Sequence, residues 1–492
     1  MWTKEMLKEL TQSKLNDRLF VVVSNREPYV HTFNGEEVVV RNPVGGMALA
    51  IDPIMKNIGG LWVAYGSGDA DKEVTDEKDR IKVPPDNPSY TLKRVWLSRE
   101  EEEGYYYGFA NQALWPMCHT AFVRPLFSDA QWQAYKEVNK KFAQAVLEEV
   151  ENRPAIVFIQ DYHLTLLPRF LKESRPDLIT CQFWHIPWPN PEVFRICPYR
   201  EEILEGLLGN DLLCFHIQYH CNNFLETCEL LIESKVDWEN FTVVKGGKTT
   251  FVRPFPISID FRSIESVSRV QDEEAKKLRK QLGLKNVAVG LGVDRIDYTK
   301  GIPERFRAID RFFEKYPQYR GFFTFVQLGA ISRIHIQKYK DINEEITNLM
   351  VEINYKHRTN KWAPIKLFRG SYSQREVITH YRMADFLVVS SLHDGMNLVA
   401  KEYVASCYDG KGILVLSRFA GASKELTDAL LINPYAIDTM ADAFKQTLEL
   451  PAEERMQRMN KLREIVKEND IYQWIGKIIS EIVKLPPVQP QG

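Results

Sequence analysis

Short, nearly continuous runs of apolar residues recur along the chain, and stretches with helical spacing lie between them. Strands buried on both faces of a parallel sheet have this composition, whereas half-exposed strands alternate apolar and polar residues. The clearest runs predict strands at residues 19–23, 155–159, 178–184, 211–215, 286–293, 322–326, 386–390 and 413–416. Helices are predicted at residues 131–149, 303–315, 336–355 and 441–448. The pattern therefore predicts an α/β fold with parallel sheets.

The length of 492 residues exceeds what a single core normally supports, so at least two domains are expected. A break is expected in "VRPFPISIDF", where two prolines and an extended piece precede a charged helix. We predict one domain over residues 1–255 and a second over 256–470. An amphipathic helix at 471–485 is expected to pack back on the first domain.

Charge and hydropathy argue against two classes of partner. The net charge is −2, so no basic surface is indicated for nucleic acid or an anionic membrane. No apolar run approaches the ~20 residues of a membrane span, and the N-terminus lacks a signal-peptide core. Seven scattered cysteines indicate reduced thiols rather than a disulfide framework. A cytoplasmic protein without membrane or nucleic-acid partners is expected.

The stretch "LLCFHIQYHCNN" places Cys214, His216, His220 and Cys221 close together in the sequence. Their side chains are of the types that bind zinc. No CxxC spacing is present, however, and neighbouring residues of a strand point to opposite faces. A structural role is the better interpretation, and no metal site is predicted.

Polar clusters follow the predicted strands in both halves of the chain, at residues 24–27, 161–163, 185–187, 294–295, 332–333 and 392–395. Ligands of open parallel sheets bind beyond the carboxyl ends of the strands. One charged loop is usually only solvated. Six of them predict a cleft to which both domains contribute.

The cations in these clusters are Arg26, Arg295, Lys300 and Arg333. Each alone is more often a surface charge, but together they are typical of phosphate or diphosphate sites. Gly45 and Gly46 precede a helical run and would expose backbone N–H groups to an anion. Neither a GxGxxG nor a GxxxxGK[ST] motif is present, so a dinucleotide site or a P-loop is not supported.

The stretch "HDGMNLVAKEYVAS" predicts a turn followed by a helix that begins near Asn397. Backbone N–H groups of Gly395, Met396 and Asn397 would then face outward as donors for sugar hydroxyls or phosphate oxygens. Asp394 in the turn and Glu402 in the helix could each accept hydroxyl groups. An exposed helix acid is the alternative for Glu402.

Several motifs together resemble one family. They run in order from "VVVSNR" through "GGM", "YYYGFANQALWP", "DYHL", "HIPWPNPEVF", "DRIDYTKGIPERF" and "DGMNLVAKEY" to "LSRFAGASKEL" and "INPY". Over residues 18–480 the chain closely resembles the trehalose-6-phosphate synthases. These are retaining glycosyltransferases in which two Rossmann-like domains face each other across a cleft, the GT-B type.

The resemblance implies transfer of glucose from a nucleotide sugar, usually UDP-glucose, to glucose 6-phosphate. It implies an acceptor-binding first domain and a nucleotide-sugar-binding second domain. The acceptor positions are matched by Arg26, Tyr106, Trp115, Asp161 and Arg333, of which Arg26, Tyr106 and Arg333 would hold the phosphate. The donor positions are matched by Gly46, His185, Arg295, Lys300, Asp394, Gly395, Met396, Asn397, Leu398, Val399 and Glu402.

The same resemblance assigns catalytic roles to Arg295, Lys300, Asp161 and His185. Fixed cations at Arg295 and Lys300 would stabilise the leaving diphosphate, a kind of electrostatic term that is usually large. The family is thought to react on one face of the sugar, with the leaving phosphate taking the proton of the acceptor. Asp161 is therefore expected to position a sugar rather than to act as a nucleophile, and neither a metal nor another cofactor is expected.

The chain departs from the family pattern at His393, at Trp188 and in the long loop 27–44. These departures leave open the base of the donor nucleotide (UDP, GDP or ADP) and the exact acceptor. One alternative is a relative that uses glycerol 3-phosphate or a pseudo-sugar phosphate. Another is a regulator that binds nucleotide sugars without turnover. A homo-oligomer is possible, and the sequence does not define it.

Overall fold

The computed structural model describes residues 2–15, 17–41, 46–359 and 362–486. Residues 42–45, which include Gly45 and the end of the predicted long loop, lie outside the described residues. The described chain forms two compact units, one of residues 2–257 with 471 onwards and one of residues 258–470. Among the described residues, no helix has both the length and the apolar composition needed to cross a bilayer.

The first unit is built on a ten-stranded sheet and a separate two-stranded hairpin. Its strands are β1 (Leu19–Arg26), β2 (Val30–Asn34), β3 (Glu37–Arg41), β4 (Leu61–Tyr65), β5 (Arg80–Val83), β6 (Tyr90–Val95), β7 (Ala155–Gln160), β8 (Ile179–Phe183), β9 (Leu212–Phe215), β10 (Lys235–Asp237), β11 (Thr242–Lys245) and β12 (Lys248–Pro254). The sheet order is β10-β11-β12-β9-β8-β7-β1-β4-β6-β5, and all neighbours between β12 and β6 are parallel. The hairpin consists of β2 and β3.

The helices of the first unit lie mostly between successive strands of this sheet. They are α1 (Lys4–Lys14), α2 (Met47–Ile58), α3 (Arg99–Glu102), α4 (Trp115–His119), α5 (Asp129–Val150), α6 (Leu167–Ser174), α7 (Pro191–Phe194), α8 (Arg200–Leu207) and α9 (Gln218–Leu231). A π-helix, Glu103–Leu114, joins α3 to α4.

The second unit contains an all-parallel sheet of six strands. The strands are β13 (Ala288–Arg295), β14 (Phe323–Ala330), β15 (Ile365–Arg369), β16 (Phe386–Val389), β17 (Ile413–Ser417) and β18 (Leu430–Ile432), in the order β15-β14-β13-β16-β17-β18. Its helices are α10 (Phe261–Arg269), α11 (Asp272–Gln281), α12 (Ile302–Lys315), α13 (Gln337–His357), α14 (Gln374–Met383), α15 (Leu398–Ser406), α16 (Ile437–Glu449) and α17 (Ala452–Glu468).

Both sheets have the strand order of a Rossmann fold. The second sheet reads 3-2-1-4-5-6 in its own chain order, and the parallel part of the first sheet reads the same way from β6 to β9. The order reverses between β1 and β7 in the first unit and between β13 and β16 in the second. Crevices at such switch points, outside the carboxyl ends of the strands, are where these folds bind ligands.

The last helix, α18 (Ile471–Lys484), belongs to the first unit. The indole Nε1 of Trp474 donates to the carbonyl of Phe255 at 3.1 Å, and its ring packs against Phe183 with centroids 5.0 Å apart. Arg253 and Glu481 form an ion pair at 3.0 Å. The helix thereby covers apolar side chains of the first sheet.

All eight strands and all four helices predicted from the sequence are present, with ends that differ by a few residues. Apolar runs locate these strands well because both of their faces are buried.

Candidate active site

Arg26 is the last residue of β1, so it lies at the switch point of the first sheet. The pairing of β1 with β4 shifts between Ser24 and Arg26, and the side chain of Arg26 is exposed. Its guanidinium Nη2 donates to the hydroxyl of Tyr106 at 2.8 Å, and it lies over the ring of Tyr106 at 5.4 Å. The structure thus brings two predicted acceptor residues together.

Tyr106 lies in the π-helix, and Trp115 begins the helix α4 that follows it. The backbone N–H of Trp115 donates to Ala110, five residues earlier, as a π-helix requires. The Asn111 side chain supports this spacing because its amide donates to the carbonyl of Tyr106 at 2.7 Å and accepts from Tyr162 at 2.8 Å. Such helices are rare and occur frequently at functional sites.

Asp161 directly follows β7, the other strand of this switch point, and has φ 71° with ψ 179°. For a residue with a side chain this conformation costs about 1–3 kcal/mol and persists only where the surroundings impose it. Here the Asp161 N–H donates to Phe183 at 2.7 Å, and its Oδ1 accepts the His185 N–H at 3.2 Å. The strained turn holds the carboxylate at the carboxyl edge of the sheet.

His185 lies just beyond β8, and its Nε2 is 2.9 Å from the Gln160 side-chain oxygen. The amide nitrogen of Gln160 faces the carbonyl of Phe158 at 3.4 Å, which assigns the oxygen to His185. Nε2 therefore carries the proton, and Nδ1 is left as an acceptor. Burial lowers the pKa of His185 to about 3, so the ring is neutral at physiological pH.

Gly46 caps the N-terminus of α2 with φ 80° and is exposed. A Cβ at this position would contact nothing within 4 Å, so the backbone conformation, and not space, favours glycine.

Next to Arg26 in the sequence, Glu27 belongs to a buried charged cluster that the sequence patterns do not predict. It consists of Glu27, His31, Asp71 and Arg94, all almost fully buried. Arg94 pairs with Glu27 at 2.9 Å and with Asp71 at 2.7 Å. Asp71 accepts the His31 N–H at 2.8 Å, which ties the hairpin β2–β3 to the unit. Desolvation and a hydrogen bond with Asp71 raise the pKa of Glu27 to about 8.

In the second unit, Arg295 ends β13, and the turn of Tyr298–Lys300 follows it at the switch point. The Lys300 ammonium donates to Asp394 Oδ2 at 2.6 Å. Gly301 has φ 61°, and a Cβ there would lie 2.1 Å from the Ser390 carbonyl, so this close approach requires glycine. Two predicted donor residues, from the segments that follow β13 and β16, thus form an ion pair.

Arg333 lies in the loop after β14, with φ 50°, and is buried. Its Nη1 donates to the Tyr339 hydroxyl at 2.7 Å and lies 3.7 Å from Asp297 Oδ2. Desolvation would raise the pKa of the fully buried Asp297, but the charges of Arg333, Arg295 and Lys300 outweigh it and lower that pKa. Asp297 is therefore a buried counter-ion of these three cations.

The turn before α15 carries Asp394, Gly395 and Met396, and Asn397 caps the helix, as predicted. Asn397 has φ 97°, and its side-chain oxygen accepts the Ala400 N–H at 3.0 Å. In the described part of the chain, the N–H groups of Gly395, Met396 and Asn397 donate no hydrogen bond. They form a row of donors beside Asp394.

Leu398 and Val399 form the first turn of α15, and Glu402 follows one turn later. The Tyr381 hydroxyl donates to Glu402 Oε2 at 2.9 Å. Desolvation raises the pKa of Glu402 to about 7. The acid is half-buried and oriented, unlike an ordinary exposed helix acid.

Two other sequence observations have structural explanations. Trp188, one of the departures from the family pattern, is fully buried between Phe194 and Phe224, so its indole fills the core. His220 lies against the backbone of Trp188 at 3.2–3.3 Å, and His216 lies 3.1 Å from the carbonyl of His185. Among the described residues, no three His, Cys, Asp or Glu side chains are grouped as metal ligands.

The predicted residues form two groups, each inside one unit. Arg26, Tyr106, Trp115, Asp161 and His185 belong to the first, and Arg295, Lys300, Arg333, Asp394 and Glu402 belong to the second. Arg333 lies in the second unit, in the loop after β14. The first group offers a cation, a neutral imidazole and a carboxylate, which suit a sugar phosphate. The second offers clustered cations and N–H donors, which suit a diphosphate.

Two α/β units with Rossmann strand order, and with cations and hydrogen-bond donors at the carboxyl ends of their strands, are typical of glycosyltransferases of the GT-B type. The model of glycosyltransferase family 20 matches residues 18–484. The chain belongs to this family, as its sequence motifs predict.

Similar proteins agree with this assignment. A trehalose-6-phosphate synthase of Mycolicibacterium vanbaalenii is 35% identical over 96% of this chain and 97% of its own. The E. coli enzyme solved with UDP-2-fluoro glucose matches with a TM-score of 0.84 and 32% identity, covering 95% of this chain and 99% of that one. A Burkholderia xenovorans enzyme solved with glucose-6-phosphate matches with a TM-score of 0.84 and 28% identity, covering 94% and 99%.

Proposed function

We propose that the protein transfers glucose, with retention of configuration, from UDP-glucose to glucose 6-phosphate and forms α,α-trehalose 6-phosphate and UDP. The observation that carries this proposal is the set of cations beyond β13 and β14, where Arg333 Nη1 lies 3.7 Å from the buried Asp297 and the Lys300 ammonium lies 2.6 Å from Asp394. Such cations suit phosphate groups, with Arg295 and Lys300 assigned to the donor diphosphate and Arg333 to the acceptor phosphate. Relatives named trehalose-6-phosphate synthase and the two ligand-bound structures support the choice of substrates.

On the acceptor side, we assign Arg26, Tyr106 and Arg333 to the phosphate of the sugar, as the sequence motifs imply. The hydrogen bond from Arg26 to Tyr106 fixes the guanidinium before the phosphate binds. Trp115 provides an aromatic face, and Asp161 accepts sugar hydroxyls. Preorganised Arg side chains bind phosphate through paired, charge-assisted hydrogen bonds.

On the donor side, Arg295 and Lys300 bind the diphosphate, with the N–H of Gly46 as a further donor. The neutral His185 accepts a glucose hydroxyl through Nδ1, and Asp394 with the N–H groups of Gly395, Met396 and Asn397 holds the rest of that ring. Leu398 and Val399 contact the nucleoside, and Glu402 accepts the ribose hydroxyls. In this proposal, no residue of this set forms a covalent intermediate with the glucose.

The reaction breaks the bond between the glucose C1 and the diphosphate oxygen. A new bond forms from C1 to the anomeric oxygen of the acceptor, and the acceptor proton passes to the departing phosphate. Negative charge grows on the leaving oxygen, where Arg295 and Lys300 stabilise it. Removing one such preorganised donor typically costs about 2.7–4 kcal/mol in the transition state.

A related transferase with another phosphorylated acceptor, such as glycerol 3-phosphate or a pseudo-sugar phosphate, is the second candidate. The sugar-binding chemistry of Trp115 and Asp161 beside Arg26 favours a hexose phosphate over the smaller glycerol 3-phosphate.

The proposal is tested by a matrix of UDP-, GDP- and ADP-glucose against glucose 6-phosphate, glycerol 3-phosphate and a pseudo-sugar phosphate, with products identified by mass. We expect the highest turnover for UDP-glucose with glucose 6-phosphate and a disaccharide phosphate as product. Preferred turnover of another acceptor would favour the second candidate. Binding of UDP-glucose without turnover of any pair would instead indicate a regulator.

A further inference from the structure

The carboxylate of Asp297 divides its two oxygens between two different segments of the second unit. Oδ1 accepts the backbone N–H of Thr299 at 3.0 Å and the Thr299 hydroxyl at 2.9 Å. Oδ2 accepts the Tyr339 hydroxyl at 3.1 Å. Asp297 and Thr299 are completely buried, so water does not compete for these bonds.

The Oδ1 side leads to Lys300. Thr299 is the central residue of the turn Tyr298–Lys300, and Asp297 caps that turn. The backbone N–H of Lys300 also donates to the Asp297 carbonyl at 3.1 Å. The position of the Lys300 backbone is therefore fixed by Asp297 and Thr299.

The Oδ2 side leads to Arg333. The Tyr339 hydroxyl donates to Asp297 and accepts from Arg333 Nη1 at 2.7 Å, and the guanidinium lies 5.5 Å from the centre of the Tyr339 ring. Tyr339 begins the buried face of α13, and its ring packs edge-on against Tyr298 at 5.5 Å. Tyr339 thus bridges the carboxylate and the arginine.

We propose that Asp297 is a positioning residue shared by both substrates, with Oδ1 placing Lys300 for the donor diphosphate and Oδ2, through Tyr339, placing Arg333 for the acceptor phosphate. This inference rests on the proposed function, which assigns those two cations to the two substrates. A buried carboxylate without compensating partners is strongly unfavourable, so the folded protein keeps cations and hydrogen-bond donors around Asp297. One anion therefore sets the geometry of both phosphate-binding groups.

Because Oδ1 and Oδ2 of Asp297 have different partners, single side-chain substitutions can test the contacts of each oxygen separately. Tyr339→Phe removes the bridge to Arg333 and should raise the KM for glucose 6-phosphate about 5–10-fold, with less than about a twofold change for UDP-glucose. Thr299→Val removes one bond to Oδ1 and should lower kcat/KM for UDP-glucose about 5–10-fold, with the acceptor KM nearly unchanged. Asp297→Asn should affect both substrates.

The matched control is Tyr403→Phe, which removes a phenolic hydroxyl from another fully buried tyrosine of the second unit. Its kinetics should equal those of the wild type. Melting temperatures show whether each variant folds. If Asp297→Asn does not fold, the two single-atom variants still decide the question.

Kd values for UDP and for glucose 6-phosphate, measured by calorimetry, provide the same comparison without turnover. A folded Tyr339→Phe variant could instead change the Kd values of both ligands equally, or leave the Kd for glucose 6-phosphate unchanged. Either result would overturn the proposed role of Asp297 as a positioning residue for both substrates. Failure of the proposed function would be seen in the wild type instead, as no binding of either ligand or as turnover of other substrates.

Discussion

The ammonium of Lys300 lies 2.6 Å from Oδ2 of Asp394, although the two residues are 94 positions apart in the sequence. The pair joins the segments that follow β13 and β16, the two strands at the switch point of the second sheet. Both side chains are only partly enclosed, with 13% and 14% exposure, so a ligand can reach them. A diphosphate that binds Lys300 must share the ammonium group with Asp394 or displace the Asp394 carboxylate from it.

Lys300→Met should therefore impair chemistry far more than folding. We expect kcat/KM for UDP-glucose to fall about 10²–10³-fold, because a preorganised positive charge at the leaving group is lost. The melting temperature should change little, since the pair is not fully buried and Asp394 keeps Ser391 and Asn397 as donors at 3.2 Å. Lys276→Met, at an exposed lysine of α11, is the control. A loss below about tenfold would contradict the role of Lys300.

Tyr106→Phe should weaken acceptor binding selectively. The variant removes the hydroxyl that accepts the 2.8 Å hydrogen bond from Arg26 and leaves the guanidinium less constrained. Loss of such a bond costs about 1–1.5 kcal/mol, so the KM for glucose 6-phosphate should rise roughly 5–10-fold. Tyr105→Phe is a close control in the same π-helix, because that hydroxyl is buried and has no partner among the described residues. Similar kinetics of the two variants would argue against this acceptor site.

Donor binding should depend on pH through Glu402, whose pKa desolvation raises to about 7. The ribose hydroxyls donate to the carboxylate, so the ionised form binds UDP-glucose better. The Kd for UDP-glucose should fall as pH rises from about 5.5 to about 8.5, with its midpoint near the pKa of Glu402. UDP-glucose is a better test ligand than UDP for this measurement. Its diphosphate is esterified at both ends, so the charge of the ligand stays constant over this pH range. Glu402→Gln should bind weakly and without this pH dependence, and an unchanged profile would exclude Glu402 as the titrating group.

The positions of the polar clusters, though not their partners, could be predicted from the sequence. Arg26, Asp161, Arg295 and Asp394 follow buried apolar strands, and the structure places them at the carboxyl ends where the apolar runs stop. Contacts such as that of Lys300 with Asp394 depend on which strands are neighbours. Strand order is a property of the whole sheet, so no local pattern reports it.

Three features of the structure have no local signal in the sequence. The π-helix of Glu103–Leu114 has no distinct apolar period, and its hydrogen bonds connect backbone N–H groups to carbonyls five residues earlier. Edge strands such as β10 (Lys235–Asp237) are short and polar, so they resemble loops. Asp297 and Glu27 are acids, and acids are almost never fully buried unless paired. Their burial could be inferred only from the distant partners Arg333 and Arg94.

The cluster of Glu27, Asp71 and Arg94 should make the stability of the protein depend on pH. Burial raises the pKa of Glu27 from 4.5 to about 8, so the folded protein binds a proton that the unfolded chain releases above about pH 4.5. The resulting stabilisation is full below that pH and is lost as the pH rises toward 8. The lowered pKa of Asp71 has the opposite effect on stability. Its stabilising contribution is present at neutral pH and is lost in acid, as the pH falls through that pKa.

Glu27→Gln separates this effect from other titrations, because the amide keeps the shape of the protonated acid and does not ionise. The free energy of unfolding of the wild type should decline relative to Glu27→Gln between about pH 5 and about pH 8, by at most about 1.4 kcal/mol per pH unit. Urea unfolding at several pH values measures this difference. Glu137→Gln, at an exposed residue of α5, should run parallel to the wild type. Parallel curves for Glu27→Gln would mean that Glu27 is ionised in the folded protein and pairs with Arg94 as a charged carboxylate.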